Sequence, residues 1–435
     1  MWRRNIVSWS LYDFANTIFS MNIISLYLKR YIVEDMGKPD SYFDVPYAIS
    51  MVLAAVLLPA LGALSDKSAK KKLFVLLFTL TCCFATGLMA LVPLGLLLPL
   101  IILFVVANIA YEAGMPFYNA LLYSVAEGKR ARLVSGFGVA LGYVGSVVGM
   151  VVVMPFVSGS VFSLDIPFLD GAGKAGSFLP TAFLFLLFSI PLFLWVKERP
   201  VVSKAGAGLA AAYKDVWEGV RQTKKYPGVL RFLIADYFFE DAVTTVIINI
   251  GLYCSLVIGM GDGQTTLFLI VSTVSAVAGS FVIGKIAQVW SLKNLLTVIV
   301  WGWALALLMF VVTDNMATVW VLGSVVGILL GGLWTTSRPM LGELVPRDEL
   351  GRFFGLFSLS GRAAAVVGPL VWTITVILFH ADGIAGRMVV ELFNLSERDA
   401  EKLPYKVAIL SLVLMMMIGL YIFRKVPHTS RNNDE

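Results

Sequence analysis

The chain of 435 residues is 58% hydrophobic and only 14% charged, with a formal net charge of +6. A soluble globular domain is about 25% charged, so this composition excludes a protein bathed in water on all sides. The apolar stretches are long and continuous rather than alternating, which excludes a membrane β-barrel and leaves α-helices as the spanning elements.

Hydropathy predicts twelve spans, over 7–30, 44–65, 73–93, 97–125, 133–156, 177–196, 230–257, 265–287, 294–313, 316–344, 353–379 and 404–424. The expected fold class is an all-α integral membrane protein of two pseudo-symmetric six-helix bundles. Residues 1–196 form the first bundle, 197–229 a linker, and 230–435 the second bundle with a short tail. No cleavable leader is expected, because Met1 to Arg4 run directly into a segment holding Asp13 and Asn16. Of the 34 lysines and arginines, 24 fall on the side that holds both ends of the chain and 8 on the other, which predicts cytoplasmic termini. In the linker, Tyr213, Val216, Trp217 and Val220 recur at i, i+3, i+4 and i+7 beside Lys214, Arg221, Lys224 and Lys225. That pattern fits a helix lying on the inner membrane surface and equally a solvated linker helix. Its basic side points to anionic lipids as partners and not to nucleic acid.

The two halves look related. Gly136, Gly142 and Gly149 in the fifth span match Gly355, Gly361 and Gly368 in the eleventh at an offset of 219. Asp13 matches Asp236, and Pro116 matches Pro339, at an offset of 223; Gly62 matches Gly284 at an offset of 222. Parallel repeats of this size belong to secondary transporters.

Charge inside a bilayer is expensive and marks a cavity, a bundle interior or a pairing. Away from the span ends, the acids are Asp13, Glu112, Asp236, Glu240 and Asp241, with Glu343 nearer an end, and the bases are Arg338 and Arg362. Helical spacing places Asp13, Asn16, Thr17 and Ser20 on one face, and does the same for Asn108, Glu112, Met115 and Asn119. Asp236, Glu240 and Thr244 share a side of the seventh span, and Gly355, Ser358 and Arg362 a side of the eleventh. Asp13, Asp236, Arg338 and Glu343 lie within roughly 8–15 Å of span ends, at about 1.5 Å per residue. Two readings stand for them: gate ion pairs, or contacts that couple transport to an ion. Glu112 and Glu240 sit deeper, where desolvation disfavours a lasting charge and suits a proton carrier. Asp241 points about 100° away from Glu240, so at most one of the two faces a cavity squarely. Gly138, Gly142, Gly145 and Gly149 permit close approach of a neighbouring helix, for packing or for sliding.

Cys82, Cys83 and Cys254 fall in apolar runs and read as small buried hydrophobes. His380 and His428 are the only histidines, and they offer neither a metal site nor a serine–histidine pair. No phosphate-binding glycine loop occurs, so a fused ATP motor is not expected. No cofactor and no enzymatic activity are expected.

After the second span the chain reads Gly62-Ala63-Leu64-Ser65-Asp66-Lys67-Ser68-Ala69-Lys70-Lys71-Lys72. This resembles the major facilitator signature, with Ala69 in place of its second glycine. The resemblance implies a conformational role for Gly62, Asp66 and Lys67. The arginine usual in the fourth span is absent, where Asn108 and Glu112 stand, so Arg130 or Arg132 would have to partner Asp66. A narrower resemblance, carried by Trp9-Ser10-Leu11-Tyr12-Asp13-Phe14-Ala15-Asn16-Thr17, is to the autophagy-related vacuolar amino-acid effluxers and their bacterial relatives. It implies amino-acid transport and importance for Asp13 and Asn16.

The expected function is therefore secondary transport of a small polar solute by alternating access, with a proton or another ion as the coupling partner. Solute contact is expected from Asn16, Glu112, Asn119, Glu240 and Arg362, and gating or proton coupling from Asp13, Asp236, Asp241 and Arg338. The expected setting is the cytoplasmic membrane of a bacterium, with the chain acting as a monomer. Multidrug efflux, and a non-transporting lipid-handling or receptor role on the same scaffold, are the alternatives.

Overall fold

The computed structural model describes residues 4–68, 71–126, 128–161, 164–165, 171–198, 214, 217–218, 221, 223–313, 315–345, 350–380 and 382–427. These residues are helical almost throughout. Helix α1 (Arg4–Phe19) continues through wide π-helical turns at Ser20–Tyr27 and Tyr31–Asp35, joined by the α-helical stretch Leu28–Arg30. There follow α2 (Ser41–Ser68), α3 (Lys71–Met89), α4 (Leu97–Val125), α5 (Gly128–Ser158) and α6 (Phe178–Trp195). Then come α7 (Pro227–Tyr253), extended by a π-helical turn at Cys254–Ile258, α8 (Asp262–Val289), α9 (Leu292–Val312), α10 (Met316–Leu344) and α11 (Leu350–Phe379). A short α12 (Ile384–Phe393) precedes α13 (Glu397–Phe423). The β content among the described residues is a two-residue antiparallel bridge, Ser160–Val161 with Leu164–Asp165.

Ten of the described helices are long and apolar enough to cross a membrane, and Ser41–Leu57 is a shorter apolar helix. Phe84, Leu98, Phe281, Leu305, Val321 and Leu414 are each more than 60% exposed. Side chains of that size lining helix after helix suit hydrocarbon and not water. The chain is a multi-pass membrane protein.

Two compact units emerge: Met1–Tyr213 with Ile248–Ile270, and Lys214–Ile247 with Val271–Glu435. In the first, α1 lies against the glycine stripe of α5. A β-carbon at Gly138 would stand 2.6 Å from Asp13 Oδ2, one at Gly149 2.9 Å from Ile18, and one at Gly145 would overlap the Phe14 backbone. Only glycine permits backbones this close. The other side of α1 meets α6 through aromatic pairs, Phe14 on Phe188 and Tyr12 on Phe185. In the second unit, α10 packs on α8 through Gly327 against Ser272 and Gly331 against Ala276, and α11 packs on α7 through Gly368.

Positions matched by the sequence offsets make like contacts. Ile18 packs on Gly149 in the first unit; Asp241 packs on Gly368 in the second. The offsets, 223 and 219, are those already found. The π-helical turns that begin at Tyr31 and at Cys254 are likewise related by the offset of 223.

Several expectations need correction. Span one runs on in helical form to Asp35 and not to residue 30, so Glu34 and Asp35 belong to a helix and not to a loop, and Lys29 and Arg30 are no longer at its end. Helix α2 starts at Ser41, which makes Asp44 a buried acid in its first turn. Helix α13 starts seven residues earlier than expected, because Ser396 caps it by accepting the Asp399 N–H at 3.2 Å, and Glu397 and Asp399 suit its positive end. Helix α12 falls between the spans predicted over 353–379 and 404–424. It seats Gly386 on the carbonyls of Phe379 and His380 and turns Met388 and Leu392 outward. Most of the linker lies outside the described residues; Lys214, Trp217, Glu218 and Arg221 are helical, with a Lys214–Glu218 ion pair at 3.7 Å and Trp217 exposed.

Gly145→Val forces a branched side chain into the Phe14 backbone, and overpacking of this kind destabilises by about 1–3 kcal/mol or more. A β-carbon at Gly361 meets nothing within 4 Å, so Gly361→Ala is expected to be neutral or to stabilise by about 0.5–1 kcal/mol. Thermal denaturation of the two purified variants in detergent checks the contrast.

Candidate solute and coupling site

In the first unit, the polar face of α1 turns towards α4 and α5. Asn16 is buried and its amide N–H groups reach the Met115 sulfur at 3.2 Å and the Tyr111 hydroxyl at 3.5 Å. Thr17 donates to the Gly142 carbonyl at 2.6 Å, tying α1 to α5. Asp13 sits half-buried over Gly138. Trp9 and Tyr118 stack at 4.7 Å and exchange hydrogen bonds, Trp9 Nε1 to the Tyr118 carbonyl and the Tyr118 hydroxyl to the Trp9 carbonyl. On α4, Glu112 is half-buried and Asn119 is exposed. Asn108, placed on the same stripe by spacing, turns instead to α2, where its amide donates to Ser50 Oγ at 2.7 Å.

In the second unit, the three acids of α7 face two neighbours: Asp236 and Glu240 turn towards α10, and Asp241 towards α11. Glu240 accepts a hydrogen bond from Trp334 Nε1 of α10 at 3.1 Å. Arg338, one turn further along α10, acts on Glu240 electrostatically and is exposed. Asp236 is buried against the Ser337 hydroxyl of α10. Asp241 is buried against α11, where its Oδ1 accepts the Gly368 N–H at 2.8 Å. Asp241 thus faces α11 while Glu240 faces α10, as their angular separation of about 100° requires.

Three expected elements fall where side chains are not described. Gly62, Asp66 and Lys67 lie in the last turns of α2, and Arg362 lies in α11; the side chains of all four are outside the described residues. The same holds for Arg130 and Arg132.

The densest ion network is one the sequence reading missed. At the end of the α1 extension, Lys29 is 2% exposed and donates to both oxygens of Asp44, at 2.7 and 2.8 Å. Asp40 lies 3.5 Å away, and Asn249 Oδ1 is also in contact. Next to it, Arg30 pairs with Glu34 at 3.0 Å and with Asp262 at 2.6 Å. Lys174 pairs with Glu34 at 2.9 Å and Asp35 at 2.6 Å. All these residues belong to the first unit. The signal was present in the sequence as Arg30 and Glu34 at i, i+4, but both stood at a presumed span edge, where charge is unremarkable.

The family profile described as "Vacuole effluxer Atg22 like" matches residues 31–130 and 122–378. The chain belongs to this family. The matched ranges begin after Trp9–Thr17, so membership in the Atg22-like family rests on residues other than the nine that carried the narrower resemblance. Among relatives, an uncharacterized MFS-type transporter, YxiO of Bacillus subtilis, is 28% identical over 97% of this chain and 94% of its own. Autophagy-related protein 22-1 of Neosartorya fischeri is 24% identical over 56% of this chain and 43% of its own. The fold matches the nucleoside transporter NupG with a TM-score of 0.71, at 14% identity over 97% and 100% of the two chains. It also matches an inward-facing, occupied bacterial homolog of the human lysosomal transporter Spinster, with a TM-score of 0.72, at 13% identity over 98% and 96%. The chain has the fold of these transporters.

Removing one partner of a buried ion pair typically costs about 3–5 kcal/mol, because the other charge is left desolvated. Asp44→Ala, which strips the fully buried Lys29 of its bidentate partner, is expected to lie in or just below that range, since Asp40 remains. Asp262 is 32% exposed, so Asp262→Ala is expected to destabilise clearly less. Denaturation midpoints of the two variants in the same detergent test the order.

Proposed function

We propose that the protein is a secondary active transporter that moves a small zwitterionic solute, an amino acid or a molecule of like charge, across a bacterial cytoplasmic membrane. The observation that carries this reading is the Glu240–Trp334–Arg338 group. An acid and an arginine flank an indole on two helices of one unit, and the indole N–H fixes the acid at 3.1 Å. Such a group offers a carboxylate to an ammonium, a guanidinium to a carboxylate, and an aromatic face to the body of the solute. Asn16, Glu112 and Asn119 supply polar contacts from the first unit, and Arg362 a further cation.

Transport proceeds by alternating access of two six-helix halves, 1–196 and 230–435, joined by the linker 197–229, in a twelve-span chain with both termini in the cytoplasm. With that orientation the Lys29 and Arg30 clusters stand at the outer end of the helices, as a gate. Asp13 and Asp236 occupy equivalent positions near the inner end. The internal offsets of 219 and 223 and the excess of basic residues on one side support this arrangement. An ion gradient supplies the driving force.

The test is counterflow in proteoliposomes with a mixture of radiolabelled L-amino acids. Saturable exchange supports the reading, and its absence for every labelled amino acid overturns the solute class. Trp334→Phe removes one hydrogen bond to an acid, worth about 1.5–3 kcal/mol. It is expected to raise the half-saturation concentration at least tenfold, since about 1.4 kcal/mol is a factor of ten. Equal half-saturation in Trp334→Phe and wild type would remove the Glu240 group from the solute site.

A further inference from the structure

The internal repeat lets one position be compared with itself. Ile18 of α1 and Asp241 of α7 are related by the offset of 223, and each packs on a glycine of its neighbouring helix, Gly149 or Gly368. An isoleucine therefore satisfies the packing in the first unit, and close helix approach does not require an acid in the second. The acid is also poorly accommodated. Asp241 is 0% exposed; Oδ1 accepts the Gly368 N–H at 2.8 Å, while Oδ2 is buried with no hydrogen-bond partner among the described residues. A β-carbon at Gly368 would stand 2.7 Å from Asp241 Oδ1, so the fit is tight as well. A buried carboxylate with one oxygen unsatisfied is strongly penalised relative to the same group in water.

Among the described residues, the charged and titratable groups around it are few. Its own helix carries Tyr237 one turn back, Asp236, and Glu240, which is held by Trp334 on the other side. Helix α11 presents the Gly368 N–H, and Arg362 lies six residues earlier on the same helix with its side chain outside the described residues. Helix α13 meets α7 where Gly419 touches Phe238 and Phe239, and its stretch 411–423 carries no charge.

We propose that Asp241 is the residue that takes up and releases the coupling proton, with the contact between α7 and α11 at Gly368 as the element its proton state controls. The step is a simple exchange: the carboxylate gains a proton from water on one side of the membrane, and the carboxylic acid returns it to water on the other. As the acid, Asp241 can remain sealed against Gly368; as the anion it is stabilised once the two helices part and water reaches Oδ2. This assignment rests on the transport reading above and selects Asp241 over Glu112 and Glu240, the deep acids that sequence position alone favours.

Two variants test it, in the full chain reconstituted in liposomes. Asp241→Asn keeps the shape, and Asp241→Ile reproduces the packing of Ile18 on Gly149, so thermal midpoints near wild type are expected. Infrared spectra taken through a pH titration should contain a protonated-carboxyl carbonyl band that is missing from both variants; identical spectra for wild type and Asp241→Asn overturn the proposal. With the radiolabelled amino-acid mixture as probe, both variants are expected to exchange solute yet to fall from concentrative uptake to mere equilibration under an imposed pH gradient. Wild-type accumulation by Asp241→Ile, or accumulation driven by a sodium gradient alone, overturns it too. If wild-type protein moves no amino acid at all, the solute reading fails, and the infrared comparison alone decides the role of Asp241.

Discussion

A charge drawn away from water must find its partner within the protein, and in this chain that single requirement accounts for most of the polar architecture. Lys29 sits on a bidentate aspartate with a second acid and an amide beside it. Arg30 and Lys174 share Glu34 and each adds another acid, so three cations and five acids form two adjoining clusters. Such clusters add little net stability, because desolvation consumes most of the Coulombic gain. What they add is selectivity for one arrangement of the segments that carry them. They join the α1 extension, the start of α2, the approach to α6 and the stretch 248–270 into one unit.

The second constraint is steric. Where helices must come close, glycine removes the obstacle, and the stripe of α5 brings the α1 backbone to contact distance at Gly145. This closeness fixes the polar face of α1, because Thr17 can reach the Gly142 carbonyl only when the two backbones nearly touch. In the second unit the equivalent closeness delivers Asp241 to a backbone N–H. Packing thus decides which polar groups meet, and the polar groups then give each packing arrangement a chemical consequence.

The multi-pass membrane character and the all-helical fold were legible in the sequence, because each depends on averages over many residues. The angle of about 100° between Asp241 and Glu240 was legible too, since helical geometry alone sets it. The ion clusters were not legible. Lys29, Arg30 and Asp44 stand at the ends of apolar runs, where charge is usual, and only the helical continuation to Asp35 turns them into buried groups. Asn108 was misplaced for a related reason: periodicity says which residues share a face, whereas its partner, Ser50, lies on another helix. Helix α12 escaped notice because its ten residues make too short a run to stand out among spans two to three times as long.

The paired wide turns at Tyr31–Asp35 and Cys254–Ile258 bear on how such a helix can be retuned. A π-helical turn holds one residue more than the α-helix around it. Absorbing that surplus swings everything beyond it through about 100° and leaves everything before it in place. Each of these helices therefore carries spare length near its tip. The same allowance is built into both copies of the repeat.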